Sequence, residues 1–215
     1  MLYWNTITPL LKSSLETLMK ADIFSPFRLV GGTSLSLQIG HRESDDIDLF
    51  TDAPYDSIDF DAITAYLIRS FPYTDRSKPG LIGMGTSYYI GNNDRDAVKL
   101  DLFYTDSFIR EAFVEDYIRM ATVDEIIAMK IDVVSRIGRK KDFWDLHQLL
   151  ENYSIAQMLS LHEERYPYGH DADLIIKNFT DFERADKDFE PTCLRGKHWE
   201  VIKLDLVETL EAYKQ

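Results

Sequence analysis

The order of the predicted elements indicates an α+β protein, because strands come first along the chain and helices follow. Four segments are predicted to be strands from their apolar runs and flanking turn residues: 27–30, 46–50, 81–90 and 97–104. From about residue 120 the apolar residues recur only at helical spacing. Thr122-Val-Asp-Glu125 is a capping-box sequence, which predicts a helix start near residue 123. We therefore expect an α/β domain with a mixed sheet over residues 1–118 and a helical domain over residues 119–215.

The remaining elements follow from apolar periodicity and from glycine and proline. Helices are predicted over residues 2–22, 57–70, 142–150, 154–165, 171–187 and 197–213. A short helix ending at Ile39 is expected to open at Thr33 or Ser34, since a hydroxyl residue after a glycine turn is a good N-cap. Gly138 is expected to end or kink the helix that begins near residue 123.

Composition describes an ordinary globular chain with a strong acidic excess. The 215 residues are 45% apolar and carry a net charge of −13, which disfavours non-specific binding to nucleic acid. The densest basic patch consists of Arg136, Arg139, Lys140 and Lys141. The single Cys193 excludes an internal disulfide, and no apolar run has the roughly 18 residues that span a bilayer. We expect a cytoplasmic protein with no membrane partner.

The segment Asp46-Ile47-Asp48-Leu49 carries two carboxylates that are predicted to point the same way. Successive side chains of a strand alternate between its faces, so Asp46 and Asp48 project together while their apolar neighbours enter the core. Paired carboxylates suit Mg²⁺, which commonly binds one or two of them together with substrate phosphates. A solvated strand end is the alternative, because Asp-x-Asp also occurs at residues 59–61, 94–96 and 171–173.

A glycine turn precedes the carboxylate strand, in Gly31-Gly32-Thr33-Ser34. A glycine turn that enters a helix presents backbone N–H groups and the positive end of the helix dipole, and both favour phosphate. A strand, this turn, a short helix and then the carboxylate strand would place a triphosphate beside a metal. Alone, the glycine pair would indicate only a tight turn.

Asp101 is the candidate for a third carboxylate. Strand alternation over residues 98–103 sends Lys99 and Asp101 to one face and the leucines to the other. A two-metal site needs about three carboxylates, one of which can act as general base. A salt bridge between Asp101 and Lys99 is the alternative, and we do not expect it because the residues are two positions apart in one strand.

Two charged residues lie within apolar helix faces. Lys130 falls in an arc of about 120° on the helix after Thr122, with Asp132, Ser135 and Arg136 outside it. That arc is formed by Val123, Ile126, Ile127, Val133, Val134 and Ile137. Asp142 lies in the middle of the next helix's apolar arc, and Asp145 lies at its edge. Because an inward-facing charge must be paired or serve a site, we predict a Lys130–Asp142 salt bridge, a nucleotide cleft between the two halves, or both.

Two segments resemble a known family. The stretch Leu29–Phe50, LVGGTSLSLQIGHRESDDIDLF, resembles the first motif of the AbiEii/AbiGii toxin family of nucleotidyltransferases. A later stretch, with Ala128-Met-Lys130, Arg136 and Lys141-Asp142-Phe-Trp-Asp145-Leu, is similar to a second motif of that family. Together the resemblance covers about residues 27–150.

The resemblance implies a polymerase-β-like nucleotidyltransferase fold followed by a helical part. It implies metal ligation by Asp46 and Asp48, and roles for Lys130 and Asp142 in NTP binding or catalysis. The resemblance also implies that Gly32, Thr33 or Ser34 contacts the nucleotide, together with the adjacent Gly31. Members are toxins of bacterial toxin–antitoxin or abortive-infection systems, so a cognate antitoxin is implied as a partner. Some members transfer nucleotides to tRNA ends and others to protein hydroxyls.

The segment from His41 to Ser44 belongs to the same motif. Arg42 is expected to contact a phosphate. Ser44 is expected to share a face with Asp46 and Asp48 if the strand begins early. His41 is expected to be a loop histidine without a role in the site.

These residues predict attack by an acceptor hydroxyl on the α-phosphate of an NTP, with release of pyrophosphate. Asp46, Asp48 and Asp101 would hold Mg²⁺ or Mn²⁺, and Lys130 would neutralise phosphate charge. Two alternatives stay open: a metal-dependent phosphoesterase, and a catalytically silent module that binds nucleotide or a partner protein. The sequence leaves the NTP open, and it leaves the acceptor open between RNA such as tRNA and protein.

Overall fold

The strands of the chain lie in one mixed sheet within the first of two compact units, which comprises Met1–Ile39 and Ser44–Ala121. A computed structural model describes residues 1–76 and 83–215. The strands are β1 (Arg28–Leu29), β2 (Asp46–Thr51), β3 (Tyr73–Arg76), β4 (Gly85–Asn93), β5 (Asp96–Tyr104), β6 (Phe113–Glu115) and β7 (Ile118–Met120). Their spatial order is β3-β4-β5-β2-β1-β7-β6. Strand β2 is parallel to β5 and antiparallel to β1, which confirms the predicted mixed sheet.

The α-helices in the described part of this unit are α1 (Pro9–Met19), α2 (Gly31–Ile39) and α3 (Phe60–Ser70). Leucines of α1 and the inward residues of the strands enter one hydrophobic core. In β2 the buried residues are Ile47, Leu49 and Thr51, and in β5 they are Val98, Leu100, Leu102 and Tyr104. The alternating residues are partly exposed, so each of these two strands has one apolar face and one face that carries charged residues.

The second unit comprises Gly40–Glu43 and Thr122–Gln215 and is helical. Its helices are α4 (Val123–Ile137), α5 (Lys140–Leu149), α6 (Ile155–Arg165), α7 (Ala172–Asn178) and α8 (Trp199–Tyr213). An aromatic cluster stabilises it: the Phe143 ring lies 5.0 Å from that of Phe182, and Trp199 lies 5.6 Å from Phe182. Within the described residues, no helix is long and apolar enough to cross a membrane.

The element boundaries differ from the prediction at several places. The predicted domain boundary at residue 118 lies at the start of β7, whereas the compact units divide after Ala121. The predicted helix over residues 2–22 is Pro9–Met19, and the one over residues 171–187 ends at Asn178. Residues 81 and 82 of the predicted strand 81–90 lie outside the described residues. Strands β3, β6 and β7 were not predicted.

Candidate active site

Asp46, Asp48 and Asp101 lie on one face of the sheet. The parallel pairing of β2 with β5 places Asp48 opposite Asp101, and Asp46 opposite Lys99. Residues that are paired across neighbouring strands point to the same face, and adjacent strands are about 4.8 Å apart. The structure therefore brings the three predicted carboxylates together, with Lys99 beside them.

The prediction that Asp101 forms no salt bridge with Lys99 is wrong. Lys99 Nζ lies 2.6 Å from Asp101 Oδ2 and donates a hydrogen bond to it. Burial lowers the pKa of Lys99, but the hydrogen bond from its amine to Asp101 and the charges of Asp101, Asp46 and Asp48 outweigh this, so the pKa is raised overall. The long lysine side chain can bend back towards a residue two positions along the strand, and the like-charged carboxylates around it supply the attraction.

The glycine turn directly contacts the carboxylate strand. Gly31 adopts a positive φ of 68°, and a Cβ added there would lie 2.6 Å from Asp48 Oδ2. A side chain at this position would therefore collide with the Asp48 carboxylate. The backbone N–H of Val30 donates to the carbonyl of Asp48 at 2.9 Å, which fixes the turn against β2. The N-terminus of α2 and the Asp48 carboxylate are thus immediate neighbours.

The hydroxyl groups near this turn are buried and have structural partners, so a phosphate contact from Thr33 or Ser34 would have to come from the backbone. Thr33 Oγ1 donates to the carbonyl of Asp46, and it also lies 2.8 Å from Ser44 Oγ. Ser34 Oγ is buried 3.5 Å from the carbonyl of Ala121. Helix α2 begins at Gly31 rather than at Thr33 or Ser34. Gly31 and Gly32 are the partly exposed residues of this turn, so its backbone is the surface that remains for a phosphate.

The donor set of this face suits a hard divalent cation. Asp101 Oδ1 is buried and receives no hydrogen bond from any residue that the structure describes. Carboxylate oxygens are the ligands that Mg²⁺ and Mn²⁺ prefer. Within the described residues, no group of three or more His, Cys, Asp or Glu side chains is already placed to hold a metal ion. The Lys99 amine contacts Asp101 Oδ2. Asp46, Asp48 and Asp101 are the residues that would hold the ion.

The other Asp-x-Asp sequences have local structural roles. Asp59 Oδ1 accepts a hydrogen bond from the N–H of Ala62 and caps α3. Asp171 Oδ1 accepts from Leu174 in the same way at the start of α7. Asp96 accepts from the side chain of Asn92 in the β4–β5 hairpin. In Asp46/Asp48, by contrast, the carboxylate of Asp48 lies against the glycine turn at Gly31.

In the second unit, Lys130 and Asp142 form the predicted salt bridge. Lys130 Nζ lies 2.6 Å from Asp142 Oδ1 and 2.7 Å from Asp145 Oδ2. Burial lowers the pKa of Lys130, yet the charges of Asp142 and Asp145 raise it overall. Burial likewise raises the pKa of Asp142, but the nearby Lys130 charge and hydrogen bond leave it lowered overall. Both groups are therefore charged at neutral pH.

The burial of the other residues of α4 agrees only in part with the predicted apolar arc. Lys130 is 6% exposed, as predicted for an inward residue. Val133 is 38% exposed and Ile137 is 57% exposed, so placing them in the buried stripe was wrong. Ser135 is buried instead, and its neighbour Asn178 of α7 donates to its carbonyl. Helices α6 and α7 pack against α4, so the face of α4 that they bury differs from the arc predicted from its apolar residues.

Asp145 is the residue that sequence reasoning placed only at the edge of its helix. It is fully buried and accepts hydrogen bonds from Arg42 Nε at 2.6 Å and from Arg42 Nη2 at 2.9 Å. His41 Nε2 lies 2.7 Å from the same carboxylate. Burial raises the pKa of Asp145, but the charges of Arg42 and Lys130 and the hydrogen bonds from His41 and Arg42 hold it well below its usual range. Asp145 is thus the common partner of three basic side chains.

One expectation for the His41–Ser44 segment is wrong. Arg42 is buried and binds Asp145 through a bidentate contact, so its guanidinium is a structural partner rather than a phosphate ligand. His41 lies in the loop between α2 and β2, as predicted, but it is buried there, at 1% exposure. Burial lowers the pKa of His41, and the neutral ring donates its Nε2–H to Asp145. The sequence holds no signal for this pairing, because Arg42 and Asp145 are 103 positions apart.

A family model and a relative each match most of the chain. A family model described as nucleotidyl transferase AbiEii toxin, type IV TA system, matches residues 13–214. An uncharacterised protein of Aquifex aeolicus is 29% identical over 203 residues, which cover 89% of this chain and 90% of that protein.

Solved structures of similar fold include nucleotidyltransferases. A putative nucleotidyltransferase from Helicobacter pylori has a TM-score of 0.58 at 18% identity, covering 93% of this chain and 92% of that one. MenT4, a nucleotidyltransferase toxin from Mycobacterium tuberculosis, also has a TM-score of 0.58, at 12% identity, and covers 93% of this chain and 81% of that one. At these identities the likeness shows a shared fold.

Proposed function

The chain belongs to the AbiEii family of nucleotidyltransferase toxins, and on that premise we propose that it transfers a nucleotide from an NTP to an acceptor hydroxyl with the help of Mg²⁺. The observation that carries this proposal is the contact between the glycine turn at Gly31 and the carboxylate of Asp48. A helix N-terminus attracts phosphate, and a carboxylate pair attracts the cation that accompanies a triphosphate. Placing the two in contact suits a metal-bound nucleotide.

In the proposed reaction, the acceptor oxygen bonds to the α-phosphorus, and the bond from that phosphorus to the β-phosphate oxygen breaks, which releases pyrophosphate. Asp46 and Asp48 would hold the metal, which when bound neutralises phosphate charge and polarises the α-phosphate. The N–H groups of Gly31 and Gly32 would bind the triphosphate. Asp101 Oδ1, which receives no hydrogen bond within the described part of the chain, would complete the metal shell or accept the proton of the attacking hydroxyl.

A role for Lys130 and Asp142 towards the nucleotide stays a prediction. Lys130 is already shared between two carboxylates, so a phosphate contact would have to compete with both. Replacing Lys130 by Met tests this role, since loss of a phosphate contact raises the KM for NTP whereas a structural role lowers stability first. The acceptor class, RNA such as tRNA or a protein, is likewise proposed only from the family, as is a cognate antitoxin.

The proposal is tested by incubating the protein with Mg²⁺, total RNA and each labelled NTP, with parallel measurement of pyrophosphate and phosphate. We expect label in RNA or in protein, together with pyrophosphate, and a loss of at least about a hundredfold in Asp48→Asn. Asp94→Asn is the matched control, because it removes a carboxylate from another Asp-x-Asp sequence in an exposed hairpin. Equal labelling by wild type and Asp48→Asn would contradict the proposal.

The same assay separates the two alternatives. Release of phosphate without pyrophosphate would indicate a metal-dependent phosphoesterase. NTP binding that survives Asp46→Asn and Asp48→Asn, with no product from the wild type, would indicate a silent binding module.

A further inference from the structure

The register of β2 and β5 places Lys99 beside the three carboxylates. It pairs across the strands with Asp46, while Asp48 pairs with Asp101. Three carboxylates and one ammonium group thus occupy four neighbouring positions of one sheet face. The aspartates at these positions carry a formal charge of −3, and Lys99 reduces it to −2.

Lys99 holds one of the two oxygens of the Asp101 carboxylate. Its Nζ lies 2.6 Å from Asp101 Oδ2, while the other carboxylate oxygen, Oδ1, is buried and receives no hydrogen bond within the described residues. A carboxylate with one oxygen on an amine and one oxygen without a donor is only half satisfied. A divalent cation held by Asp46 and Asp48 would attract this carboxylate more strongly than a single ammonium group does.

The ion pair is also exchangeable. The side chain of Lys99 is 37% exposed and that of Asp101 is 17% exposed, so the amine has a path to water. Lysine carries its charge on a flexible four-carbon stem, and it can withdraw its head to solvent without moving the backbone. The buried pair of Lys130 with Asp142 and Asp145 has no comparable exposure.

We propose that Lys99 is an internal counter-ion of the active site, which neutralises Asp101 in the metal-free protein and is displaced from it when the divalent cation binds. This rests on the proposed function, because it takes Asp46, Asp48 and Asp101 as the metal ligands. Lys99 then lowers the affinity for the metal and stabilises the metal-free state. It is a positioning residue that acts on the cation through Asp101.

The test is calorimetric titration of the protein with Mn²⁺ alone, without nucleotide. Removing the competing charge in Lys99→Met is expected to lower the Kd for Mn²⁺ by about tenfold or more. Lys99→Arg keeps the charge and is expected to stay within about threefold of the wild type. Lys20→Met, which removes an exposed lysine at the end of α1, is the matched control for a general loss of positive charge.

Thermal unfolding gives a second readout that does not depend on activity. In EDTA, Lys99→Met is expected to melt below the wild type, because three carboxylates then repel each other without a counter-ion. Saturating Mn²⁺ is expected to raise its Tm by more than it raises the Tm of the wild type. In an Asp101→Asn background, the effect of Lys99→Met on the metal-free Tm is expected to shrink, since the partner of Lys99 is gone. Lys99→Gln serves if the Met variant does not fold.

The outcomes separate this inference from the proposed function. If wild type and Asp48→Asn both fail to bind Mn²⁺, the proposed metal site is wrong and this inference falls with it. If the wild type binds Mn²⁺ and Asp48→Asn does not, a Kd for Lys99→Met within twofold of the wild type overturns the role of Lys99 alone.

Discussion

Asp145 gathers most of the charged interactions in the interior of the second unit. Arg42, Lys130 and His41 all contact its carboxylate within 3 Å. A buried carboxylate is stable only when its partners compensate the lost hydration, and here a bidentate guanidinium and an ammonium group do so. Helix periodicity could place Asp145 near an apolar face, but it could not identify partners that come from a distant segment.

We expect Asp145→Asn to destabilise the protein by about 3–5 kcal/mol, because it leaves the charges of Arg42 and Lys130 buried with one partner fewer. The midpoint of urea unfolding measures this loss. Glu183→Gln removes an exposed carboxylate that pairs with Lys187, and it should leave the midpoint unchanged. An Asp145→Asn variant as stable as the wild type would show that the network contributes little.

Comparing Gly31→Ala with a control glycine variant distinguishes the effect of backbone strain on stability from the effect of an added methyl group on the active site. Alanine at a φ of 68° costs about 1–2 kcal/mol, and its methyl group would also meet the Asp48 carboxylate. Gly196→Ala is the matched control, since Gly196 has a φ of 66° and nothing lies within 4 Å of an added Cβ. Gly31→Ala should lose at least as much stability in urea as Gly196→Ala, but only Gly31→Ala should lose nucleotidyl transfer, by about tenfold or more. Equal activities in the two variants would argue against a site at the glycine turn.

At the scale of elements, the sequence predicted best where a cap or a glycine marks the boundary. Helix α4 begins after Thr122 and ends before Gly138, as predicted. Helix α1 is shorter than its apolar pattern suggests because Thr8 caps it and Pro9 occupies its first turn, where a missing N–H costs nothing. Helix α7 ends early, and downstream of it Phe182 packs against Phe143 and Trp199. Such tertiary contacts leave no local signal.

The missed hairpin of β6 and β7 has a similar explanation. Its strands have three residues each, too few to show an alternating pattern. Its turn places Asp116 and Tyr117 at φ values of 50° and 66°, where hairpin turns usually carry asparagine and glycine. Without those residues the sequence gives no turn signal and does not predict this hairpin.

The N-cap of α4 offers a prediction for an element. The Thr122 hydroxyl accepts a hydrogen bond from the N–H of Glu125 at 3.3 Å. Thr122→Ala should lower the free energy of unfolding by about 1 kcal/mol, whereas Thr122→Ser should restore most of it. Chemical denaturation of the three proteins at one pH measures the difference. If serine and alanine behave alike, the hydroxyl is not the stabilising group.

Over the whole molecule, the sequence predicted the strand carboxylates and the family. It predicted the partners of the buried charged residues only in part. Strand alternation predicted that Asp46 and Asp48 share one face of their strand and that Lys99 and Asp101 share one face of theirs, because that rule is local and geometric. It did not predict the register of β2 with β5, which puts the two pairs on one sheet face, or the pairing of Lys99 with Asp101. Lys130 and Asp142 were predicted as inward charges, whereas the guanidinium of Arg42 was predicted to contact a phosphate and binds Asp145 instead.

The titration of buried groups predicts how the stability of the whole molecule depends on pH. Burial lowers the pKa of His41 and of His147, so both resist protonation in the folded state. The unfolded chain takes up these protons below about pH 6.5, and stability is therefore lost as the pH falls from there. Asp142 and Asp145 have lowered pKa values, so their contribution is present above about pH 4 and is lost at lower pH.

We expect the urea concentration at the unfolding midpoint to decrease as the pH is lowered from 7.5 to 5.5, because the two histidines titrate in this range. In His41→Gln the amide can still donate to Asp145 but cannot be protonated, so its midpoint should fall less over the same interval. An identical pH dependence in wild type and His41→Gln would mean that this histidine is not a source of the loss.

The membership of Gly40–Glu43 in the helical unit has a consequence for synthesis on the ribosome. Arg42 emerges 103 residues before Asp145, its main partner. At translation rates of 5–20 residues per second, this delay is roughly 5–20 s. During that time Asp145 is absent, although the chain on both sides of the segment between α2 and β2 is already available. The helical unit therefore cannot be completed from its own contiguous stretch, and a fragment that starts at Thr122 would lack both His41 and Arg42.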